Sequence, residues 1–517
     1  MRRYLYMGVF FAGCTSLAVE LAASRLLGNY FGSSNIVWAT IIGLILIYLS
    51  IGYILGGRWA DRSPEIGTFF TILCWASLLI GLIPLASRPI LRAASQAFDE
   101  MRAGVMVGSF ISVLGLFSLP VTLLGTASPF AIRLAIQEKE KSGTIAGKIY
   151  AISTFGSFIG TFLPVLLLIP RMGTYRTFLT LSGLLMFIAM FGLVKTVSLR
   201  SAARFLWMPV LLLVSAVYGL RGLDKSAQNI IFEADTAYNY IQVQETNGYR
   251  ILRLNEGQGI HSIYHPSREN FNGPWEQVLC APFFNPPPVS PEQISRLAIL
   301  GLAAGTSANQ AVAVFPNVII DGYELDPGII QAGYNFFEMN TTRMHVFAED
   351  ARWGITHNDN LYDVISIDAY KPPYIPWHLT TREFFQTVHS RLEKNGTLVM
   401  NVARIFNDRR LVNGLYSTVA SVFSSVYIVD LPNSFNSIIF ASKQPTTSDN
   451  LILNYIALNE DTRTPQLLLS ALEVTILNIQ PEPPDDQVFT DDHAPIEWIT
   501  NAMIFDLFRS GQIEEIQ

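Results

Sequence analysis

The sequence predicts a multi-pass α-helical membrane bundle followed by an α/β domain that carries a small β cap. The composition is the first reason: of 517 residues, 50% are hydrophobic and only 15% are charged, whereas soluble domains are typically about 25% charged. The second is a series of apolar segments of membrane-spanning length that ends near residue 220. The third is a regular alternation of apolar strands and helices after residue 296, which is typical of a largely parallel sheet.

Charge and cysteine content argue against several classes of protein. The net charge of −6 disfavours a nucleic-acid partner, because neutralising phosphates requires a basic surface. Cys14, Cys74 and Cys280 are far apart in the sequence and match neither a disulfide framework nor a zinc-binding spacing. We therefore expect no nucleic acid partner and no metal site.

Seven transmembrane helices are predicted in the N-terminal part, because a bilayer core requires about 20 apolar residues per helix. The segment after Met1-Arg2-Arg3 resembles a signal peptide, but its apolar run continues through Leu27 without a small-residue cleavage site and is interpreted as the first span. The protein is thus expected in the cell membrane, with the lipid bilayer as a partner. The predicted spans are 4–27, 36–55, 68–87, 105–124, 147–168, 177–194 and 205–220.

Two features of the bundle are candidates for function. Glu20 lies within the first span, shortly before Arg25. An intramembrane carboxylate is a functional candidate, although an internal ion pair or a side chain that reaches the interface is the favoured interpretation. Gly156 and Gly160 form a small-xxx-small pattern that permits close helix packing. Packing within one chain is favoured for these glycines, and a homodimer contact is the alternative.

Three domains are predicted: the bundle at residues 1–222, a small β cap with a linker at 223–290, and the α/β domain at 291–517. The β-like runs Ile230–Glu245 and Tyr249–Leu254 are separated by the turn sequence Asn247-Gly248, which predicts an antiparallel cap. The proline cluster at 286–288 marks the linker.

Strands and helices alternate through the α/β domain, which favours a largely parallel sheet with helices on both faces. Ligands of such sheets bind at the carboxyl ends of the strands. The predicted helices are 307–314, 327–337 and 381–392. The predicted strands are 297–300, 318–323, 344–347, 364–367, 397–402, 426–429 and 437–441.

A turn of small residues follows the first of these strands. Gly301, Ala303 and Gly305 lie between the apolar strand and the next helix, which begins after Thr306. Small side chains are needed in such a turn, because a larger one would keep the backbone N–H groups away from a bound ligand. The turn therefore predicts a nucleotide-binding site.

Acidic residues follow the next three strands. Glu324 comes about 20 residues after the turn, where an acidic side chain can accept both ribose hydroxyl groups. Asp350 follows the third strand, at a position that suits the adenine amino group, and Asp368 ends the fourth strand at the expected mouth of the site. Any one of these carboxylates is also explained by helix capping, but their occurrence at successive strand ends favours one site for an adenosine moiety.

With these residues in place, residues 230–445 resemble the spermidine synthase (polyamine aminopropyltransferase) family. The whole chain resembles its membrane-fused bacterial members. The resemblance implies a Rossmann-like, class I methyltransferase fold behind a small β cap. The segments that carry it are Asn255–Gly259, Gly301–Thr306, Tyr323–Asp326, Glu349-Asp350, and Asp368 with Tyr374 and Thr380–Phe385.

The resemblance also implies the ligands and several residue roles. The donor would be decarboxylated S-adenosylmethionine, and the acceptor a diamine such as putrescine. Glu324 would bind ribose, Asp350 would bind adenine, and Gln258 would lie on the cap side of the site.

Two residues depart from the family pattern. Ala304 stands where the family has an aspartate that holds the aminopropyl ammonium group of the donor. Lys371 stands where the family has a second aspartate that helps to deprotonate the attacking amine. A lysine accepts a proton only if its pKa is strongly lowered, and it would repel a diammonium substrate. The nucleoside part of the pattern is thus kept, and the aminopropyl part is not.

These departures leave the transferred group open. If it is aminopropyl, Asp368 and Asp492 are the expected catalytic carboxylates. If it is methyl, the donor is S-adenosylmethionine itself, and Lys371 would pair with its methionine carboxylate. Asp492 belongs to the segment Thr490–Pro495, which contains two carboxylates and an imidazole; a turn cluster is the alternative explanation.

Further residues are expected at the mouth of the site, where the acceptor is a small amine or a lipidic molecule. They are Trp275, Glu276, Lys371, Tyr374 and His378. The apolar rings among them permit a membrane-embedded acceptor.

A second hypothesis is that the bundle is a transporter and the α/β domain a nucleotide sensor without catalysis. The loop at 56–62 resembles a loop of major-facilitator transporters, and Glu20 fits the same view. Basic residues in the loops slightly favour a C-terminal domain outside the cytoplasm. A nucleotide-derived cosubstrate favours the cytoplasm, and we expect the domain there.

Overall fold

The computed structural model describes residues 2–31, 35–101, 105–136, 142–220, 229–255, 259–339, 342–371, 374–405 and 408–510. The predicted site residue Gln258 lies outside these ranges. The chain forms two compact units. The first is Met1–Ala227 with Asp235–Asn239, and the second is Gln228–Ala234 with Tyr240–Gln517.

The first unit is helical. Its helices are α1 (Arg2–Phe31), α2 (Asn35–Arg62), α3 (Ile66–Met101), α4 (Val105–Gly125), α5 (Ala127–Ala135), α6 (Ser142–Leu163), α7 (Ile169–Thr196), α8 (Leu199–Ala203) and α9 (Trp207–Gly219). A π-helical segment, Pro164–Leu168, joins α6 to α7.

Six helical stretches within the described ranges are long and apolar enough to cross a membrane, judged by length and composition. The sequence predicted seven spans. The difference arises at Ser142–Thr196, a stretch of 55 residues that includes both the fifth and the sixth predicted span. Gly173 interrupts it with a positive φ of 77°, so the stretch contains a kink rather than a loop.

The small residues of α6 pack against α1 of the same chain. A Cβ atom on Gly156 or Gly160 would overlap the backbone carbonyl oxygens of Phe10 and Cys14. Such an approach requires glycine, because any side chain would separate the two helices. The small-xxx-small pattern therefore serves packing within the chain, as the sequence favoured.

Arg25 of α1 pairs with a residue other than Glu20. Its guanidinium donates to Asp235 over 2.9 Å and to the carbonyl oxygens of Thr236 and Tyr238. Glu20 is 9% exposed. An internal ion pair was one interpretation of Glu20. The structure instead pairs Arg25 with Asp235.

The second unit begins with a four-stranded sheet in the order β1-β2-β3-β4. Its strands are β1 (Ile230–Asp235), β2 (Tyr240–Thr246), β3 (Tyr249–Leu254) and β4 (Ser262–Tyr264). Strands β2 and β3 pair antiparallel around Asn247 and Gly248, whose φ values of 52° and 83° are those of a tight hairpin turn. This sheet is the β cap that the sequence predicted.

An eight-stranded sheet forms the centre of the second unit. Its order is β12-β10-β11-β9-β8-β5-β6-β7. Its strands are β5 (Arg296–Leu300), β6 (Ile319–Tyr323), β7 (Met344–Phe347), β8 (Tyr362–Ile367), β9 (Leu392–Ala403), β10 (Ser425–Asp430), β11 (Asn436–Ser442) and β12 (Ile479–Gln480).

The sheet is mixed, whereas the sequence predicted a largely parallel one. Strands β5 to β9 pair in parallel, but β11 runs antiparallel to β9 and β10, and β12 runs antiparallel to β10. The short Leu431–Phe435 connection between β10 and β11 is the reason, since a connection of this length joins only antiparallel neighbours.

Helices cover both faces of this sheet. They are α10 (Thr306–Val314), α11 (Pro327–Phe336), α12 (Ala351–His357), α13 (Arg382–Ser390), α14 (Arg410–Ala420), α15 (Asp449–Glu460), α16 (Gln466–Leu477) and α17 (Ile496–Ser510). Two buried apolar clusters lie against the sheet, one with α10, α15 and α16 and the other with α12, α13 and α14. Strand β5 is buried from Leu297 to Leu300, as a central strand covered on both faces should be.

Candidate active site

The turn after β5 has the backbone conformation that its small residues permit. Gly301, Ala303 and Gly305 have positive φ values of 95°, 49° and 88°, a region that favours glycine. A Cβ atom on Gly301 would lie 2.6 Å from the carbonyl oxygen of Asp368. The turn after β5 and the end of β8 are therefore in direct contact, which is the arrangement expected if both belong to one site.

Glu324 connects the end of β6 to this turn. Its carboxylate accepts the backbone N–H groups of Ala303 and Asp326, each over 3.0 Å. Burial raises the pKa of the Glu324 carboxyl to about 7. Each oxygen retains a lone pair, so the carboxylate can still accept hydroxyl groups of a ribose.

The β cap is bound to the same turn. Ser262 of β4 accepts the backbone N–H of Ala304 over 2.9 Å. The hydroxyl of Thr306 donates to the carbonyl oxygen of Ile263 and accepts its N–H. The cap thus fixes the turn from one side, and the methyl group of Ala304 is fully buried.

Asp368 lies at the end of β8, beside β9. Its Oδ1 atom accepts a hydrogen bond of 2.9 Å from Nδ2 of Asn401. Burial raises the pKa of the Asp368 carboxyl to about 6. A carboxylate with this pKa can accept a proton near neutral pH, which is the property that general-base catalysis requires.

Asp350 has two partners of its own. Its Oδ1 atom caps α12 by accepting the N–H of Trp353, and Oδ2 lies 3.0 Å from Nε2 of His378. The hydrogen bond with His378 holds the pKa of the Asp350 carboxyl below its ordinary value. The predicted mouth residue His378 is therefore beside Asp350, whose contact with adenine stays a prediction.

An ion pair between Arg352 and Asp491 lies next to Asp350 and His378. Arg352 donates both of its terminal N–H groups to the carboxylate of Asp491, over 2.7 and 2.6 Å, and donates to the carbonyl oxygen of His378. Thr381 also donates to Asp491. These bonds hold the pKa of the Asp491 carboxyl below its ordinary value, mainly through Arg352. Asp491 is thus a structural anchor.

Asp492, the predicted second catalytic carboxylate, is exposed at the tip of the turn that Thr490 and His493 close by mutual backbone hydrogen bonds. Asp491 of this turn accepts hydrogen bonds from Arg352, which also donates to the carbonyl oxygen of His378, the partner of Asp350. The catalytic role of Asp492 stays a prediction.

Lys371 and Tyr374 are joined by two backbone hydrogen bonds, in which each N–H donates to the carbonyl oxygen of the other. Lys371 is exposed, whereas Tyr374 is 7% exposed and donates its hydroxyl to Asn501 of α17. Tyr374 therefore joins its part of the chain to α17.

Trp275 and Glu276 are buried at 8% and 3% exposure. The Glu276 carboxylate accepts the N–H groups of Phe271 and Gly273 and the side-chain amide of Gln310, and burial raises the pKa of its carboxyl. Glu276 also lines a cleft of about 340 Å³. The other residues of this cleft come from 270–277, the β10–β11 turn and α16.

Among the residues that the structure describes, no group of three or more His, Cys, Asp or Glu side chains is arranged to hold a metal ion. Two residues of the site, Asn401 and Arg352, were missed by sequence reasoning. Asn401 lies two residues before the end of the apolar strand β9, beside Asp368, which follows β8. A search for charged residues passes over this uncharged amide. Arg352 and Asp491 are 139 residues apart, and no local pattern predicts their pairing.

Comparison with known proteins identifies the relatives of the chain. No family model matches it. It is 29% identical over 296 residues to a probable polyamine aminopropyl transferase of Bifidobacterium longum, with 55% of this chain and 65% of that protein covered. It is 22% identical over 464 residues to polyamine aminopropyltransferase 2 of Aquifex aeolicus, with 87% and 90% covered. The chain is thus similar to proteins named polyamine aminopropyltransferase.

The match to the Aquifex aminopropyltransferase extends beyond the second unit. Because that unit begins at Gln228, an alignment of 464 residues also includes part of the helical unit. The chain spans less than two thirds of the Bifidobacterium aminopropyltransferase. Among solved structures, a probable spermidine synthase from Corynebacterium glutamicum matches with 18% identity and a TM-score of 0.38, over 52% of this chain and 99% of its own.

Proposed function

We propose that this chain is a membrane-anchored transferase of the aminopropyltransferase family. It moves an aminopropyl group from decarboxylated S-adenosylmethionine to an amine of the polyamine class. The observation that carries the proposal is the meeting of the Gly301–Gly305 turn, Glu324 and Asp368 at the carboxyl edge of adjacent parallel strands. This edge is where sheets of this kind bind nucleosides.

Different residues would bind different parts of the donor. The turn offers backbone N–H groups and close approach, Glu324 accepts the ribose hydroxyl groups, and Asp350 receives the adenine amino group. By the resemblance, Gln258 is the candidate for a contact from the cap. These positions leave the sulfonium carbon of the donor near Asp368 at the end of β8.

The transfer step needs alignment and a neutral acceptor nitrogen. An acceptor ammonium group loses one proton to the Asp368 carboxylate. The freed lone pair forms the N–C bond to the carbon attached to the sulfonium, and the C–S bond breaks with its electrons passing to sulfur. A neutral thioether nucleoside leaves, and the positive charge is now on the product amine. Asp492 is the candidate for a second carboxylate at the mouth.

The helical unit would anchor the enzyme. Its six long apolar stretches match the length that a bilayer requires, and we place the catalytic unit in the cytoplasm, where nucleotide-derived donors are made. Acceptors include free amines and amines carried by lipids, since Trp377 beside His378 is 48% exposed.

Ala304 and Lys371 favour a second candidate, methyl transfer from S-adenosylmethionine. The buried Ala304 methyl supplies no anion for the aminopropyl ammonium, and the exposed Lys371 offers a cation to a methionine carboxylate. The donor in that case keeps its carboxyl group.

Calorimetry on the full chain in detergent, with each donor in turn, tests the two candidates. Aminopropyl transfer requires tighter binding of the decarboxylated donor and a thioether nucleoside product when putrescine is added. Tighter binding of S-adenosylmethionine, with a methylated product by mass spectrometry, would establish the second candidate. Binding of neither donor would reject both.

A further inference from the structure

Glu20 is an acidic residue deep within one of the six long apolar stretches of the helical unit. The only other acidic residue in these stretches, Asp61, is the second-last residue of its stretch and pairs with Arg133. Glu20 instead lies ten residues before the end of its own stretch at Tyr30, which is about 15 Å along a helix. A carboxylate at this depth is a candidate for a binding site or an ion pathway.

The Glu20 carboxylate has no positively charged partner. Arg25, the nearest cation along α1, donates to Asp235 and to two carbonyl oxygens of the segment that follows it. Among the residues that the structure describes, none donates a hydrogen bond to Glu20, although this residue is only 9% exposed. A buried carboxylate without a cation costs free energy, and a ligand that supplies the positive charge removes this cost.

Ser16 lies one helical turn before Glu20 on the same face of α1, since side chains at positions i and i+4 are neighbours with Cβ atoms about 6 Å apart. Ser16 is 6% exposed, and its hydroxyl forms no hydrogen bond with any residue that the structure describes, Glu20 included. A donor group between the two side chains would bond to both. A water molecule would also join them, but it would leave the carboxylate charge uncompensated.

The helix beside this pair departs from α-helical geometry. Gly160 of α6 packs on Cys14, and α6 runs parallel to α1 at this contact. Glu20 follows Cys14 by six residues, so the continuation of α6 reaches the level of Glu20. That continuation is the π-helical segment Pro164–Leu168, against which α1 packs. Short π-helical segments within α-helices occur frequently at functional sites.

We propose that Glu20 and Ser16 bind the ammonium group of a free primary amine inside the helical unit. An ammonium group carries the missing charge, and it has three N–H bonds, of which one can reach each side chain. A proton alone would neutralise Glu20 but leave Ser16 without a partner. Ca²⁺ and Mg²⁺ take about six or more oxygen ligands, which exceeds what this pair offers.

The proposal goes beyond aminopropyl transfer. It depends on the membrane position proposed for the helical unit, but not on any reaction of the second unit. A free amine is favoured over a lipid headgroup, because Glu20 lies about 15 Å along the helix from the end of its apolar stretch and headgroups stay at the surface of the bilayer.

Equilibrium dialysis of radiolabelled putrescine against the full chain in phosphatidylcholine nanodiscs, without a donor, tests the inference. Glu20→Gln keeps the shape of the side chain and removes its charge, so we expect it to bind one equivalent of putrescine less than wild type. Ser16→Ala should weaken the binding of the same equivalent about tenfold, as for loss of one hydrogen bond to a charged ligand.

Ser50→Ala is the matched control. Ser50 of α2 is exposed, and its hydroxyl donates to the carbonyl oxygen of Leu46 in the same helix. Its putrescine binding should equal that of wild type. Equal binding by wild type and Glu20→Gln would overturn the inference. If the melting temperature shows that Glu20→Gln does not fold, an unchanged affinity in Ser16→Ala overturns it instead.

Competition tests the chemistry of the ligand. Putrescine methylated to its bis-quaternary form keeps both charges without an N–H bond, and it should not displace the equivalent that depends on Glu20. Sodium chloride at equal ionic strength should not displace it either. Displacement by either compound would overturn the assignment to an ammonium group. Loss of this equivalent in phosphatidylethanolamine nanodiscs, whose lipid carries a primary ammonium, would overturn the assignment to a free amine.

Initial transfer rates separate this inference from the proposed function. An equivalent of putrescine that depends on Glu20, in a protein that transfers nothing, would reject the proposed function and keep the amine site. Transfer in a protein without such an equivalent would keep the function and reject the amine site.

Discussion

The carboxylate of Glu324 accepts the backbone N–H of Ala303 over 3.0 Å, so that the end of β6 holds the turn that follows β5. This bond explains why an acidic residue and a turn of small residues occur together in the sequence. The turn needs a rigid support to keep its positive φ values, and the carboxylate provides it while keeping lone pairs for a ligand.

Glu324→Gln should weaken donor binding. One terminal group of the glutamine is an NH2, which would face the N–H of Ala303 or Asp326 and give no hydrogen bond. Loss of a charged acceptor of this kind corresponds to about 10–100-fold in affinity. Calorimetry with each S-adenosylmethionine-type donor measures it, and Glu460→Gln, at an exposed position, is the control. Donor affinity equal to that of wild type would remove Glu324 from the site.

The same substitution should make the stability of the protein less dependent on pH. Burial raises the pKa of the Glu324 carboxyl from 4.5 to about 7, so the folded protein binds this proton more tightly than the unfolded chain does. The stability that protonation gives is full below pH 4.5 and is lost as the pH rises through 7, a difference of about 3 kcal/mol. Melting temperatures at pH 5 and pH 8 should therefore fall more in wild type than in Glu324→Gln. An identical decrease in both proteins would contradict this assignment.

Asp368→Asn should abolish transfer while leaving donor binding intact. A positioned base contributes about 10²–10⁴ in rate, and asparagine cannot accept the proton. Because burial raises the pKa of the Asp368 carboxyl to about 6, the wild-type rate should fall as the pH drops through 6 and the carboxylate becomes protonated. Initial rates across pH 5–9 measure this. Asp359→Asn is the control, since that side chain is 99% exposed; retained activity in Asp368→Asn would point to another base.

Much of this site was predictable because strands covered on both faces are almost entirely apolar. Strands β5 to β8 end within a residue of their predicted positions, and the residues that follow them carry the polar groups of the site. The start of β9 was missed because Glu393, Lys394 and Asn395 are exposed and conceal the strand pattern. Its end was predicted to within one residue, yet Asn401 was overlooked, because an uncharged amide near the end of a strand gives no signal unless its neighbour Asp368 is known.

The contacts across long sequence separations were not predictable. Arg352 and Asp491 pair only because α12 and the C-terminal turn meet at one corner of the sheet. The sequence therefore selected Asp492 from the segment 490–495, while the structure shows that Asp491 makes the contacts. The choice between two adjacent aspartates depends on the direction in which each side chain points, which only the folded chain determines.

Gly160→Ala should destabilise the helical unit without changing its oligomeric state. The added Cβ atom would overlap the carbonyl oxygen of Cys14 in α1, and overpacking of this kind costs about 1–3 kcal/mol. Thermal unfolding in detergent measures the loss, and light scattering measures the mass. Gly183→Ala is the control, because no atom lies within 4 Å of the new Cβ there. A change of mass in Gly160→Ala alone would indicate that these glycines also join two chains.

Asp491→Asn and Asp492→Asn should separate an anchoring role from a catalytic one. Asp491 receives two hydrogen bonds from Arg352, which also holds the carbonyl oxygen of His378. Because this ion pair is partly exposed, its loss should cost only about 1 kcal/mol. The freed Arg352 should, however, let His378 and Asp350 move, which raises the KM for the donor. Asp492→Asn should leave the melting temperature and the donor KM unchanged and lower kcat only if its carboxylate reaches the acceptor. Limited proteolysis of the turn at 490–493, alongside steady-state kinetics, distinguishes the two. Faster cleavage in Asp492→Asn than in Asp491→Asn would reverse the assignment of the two residues.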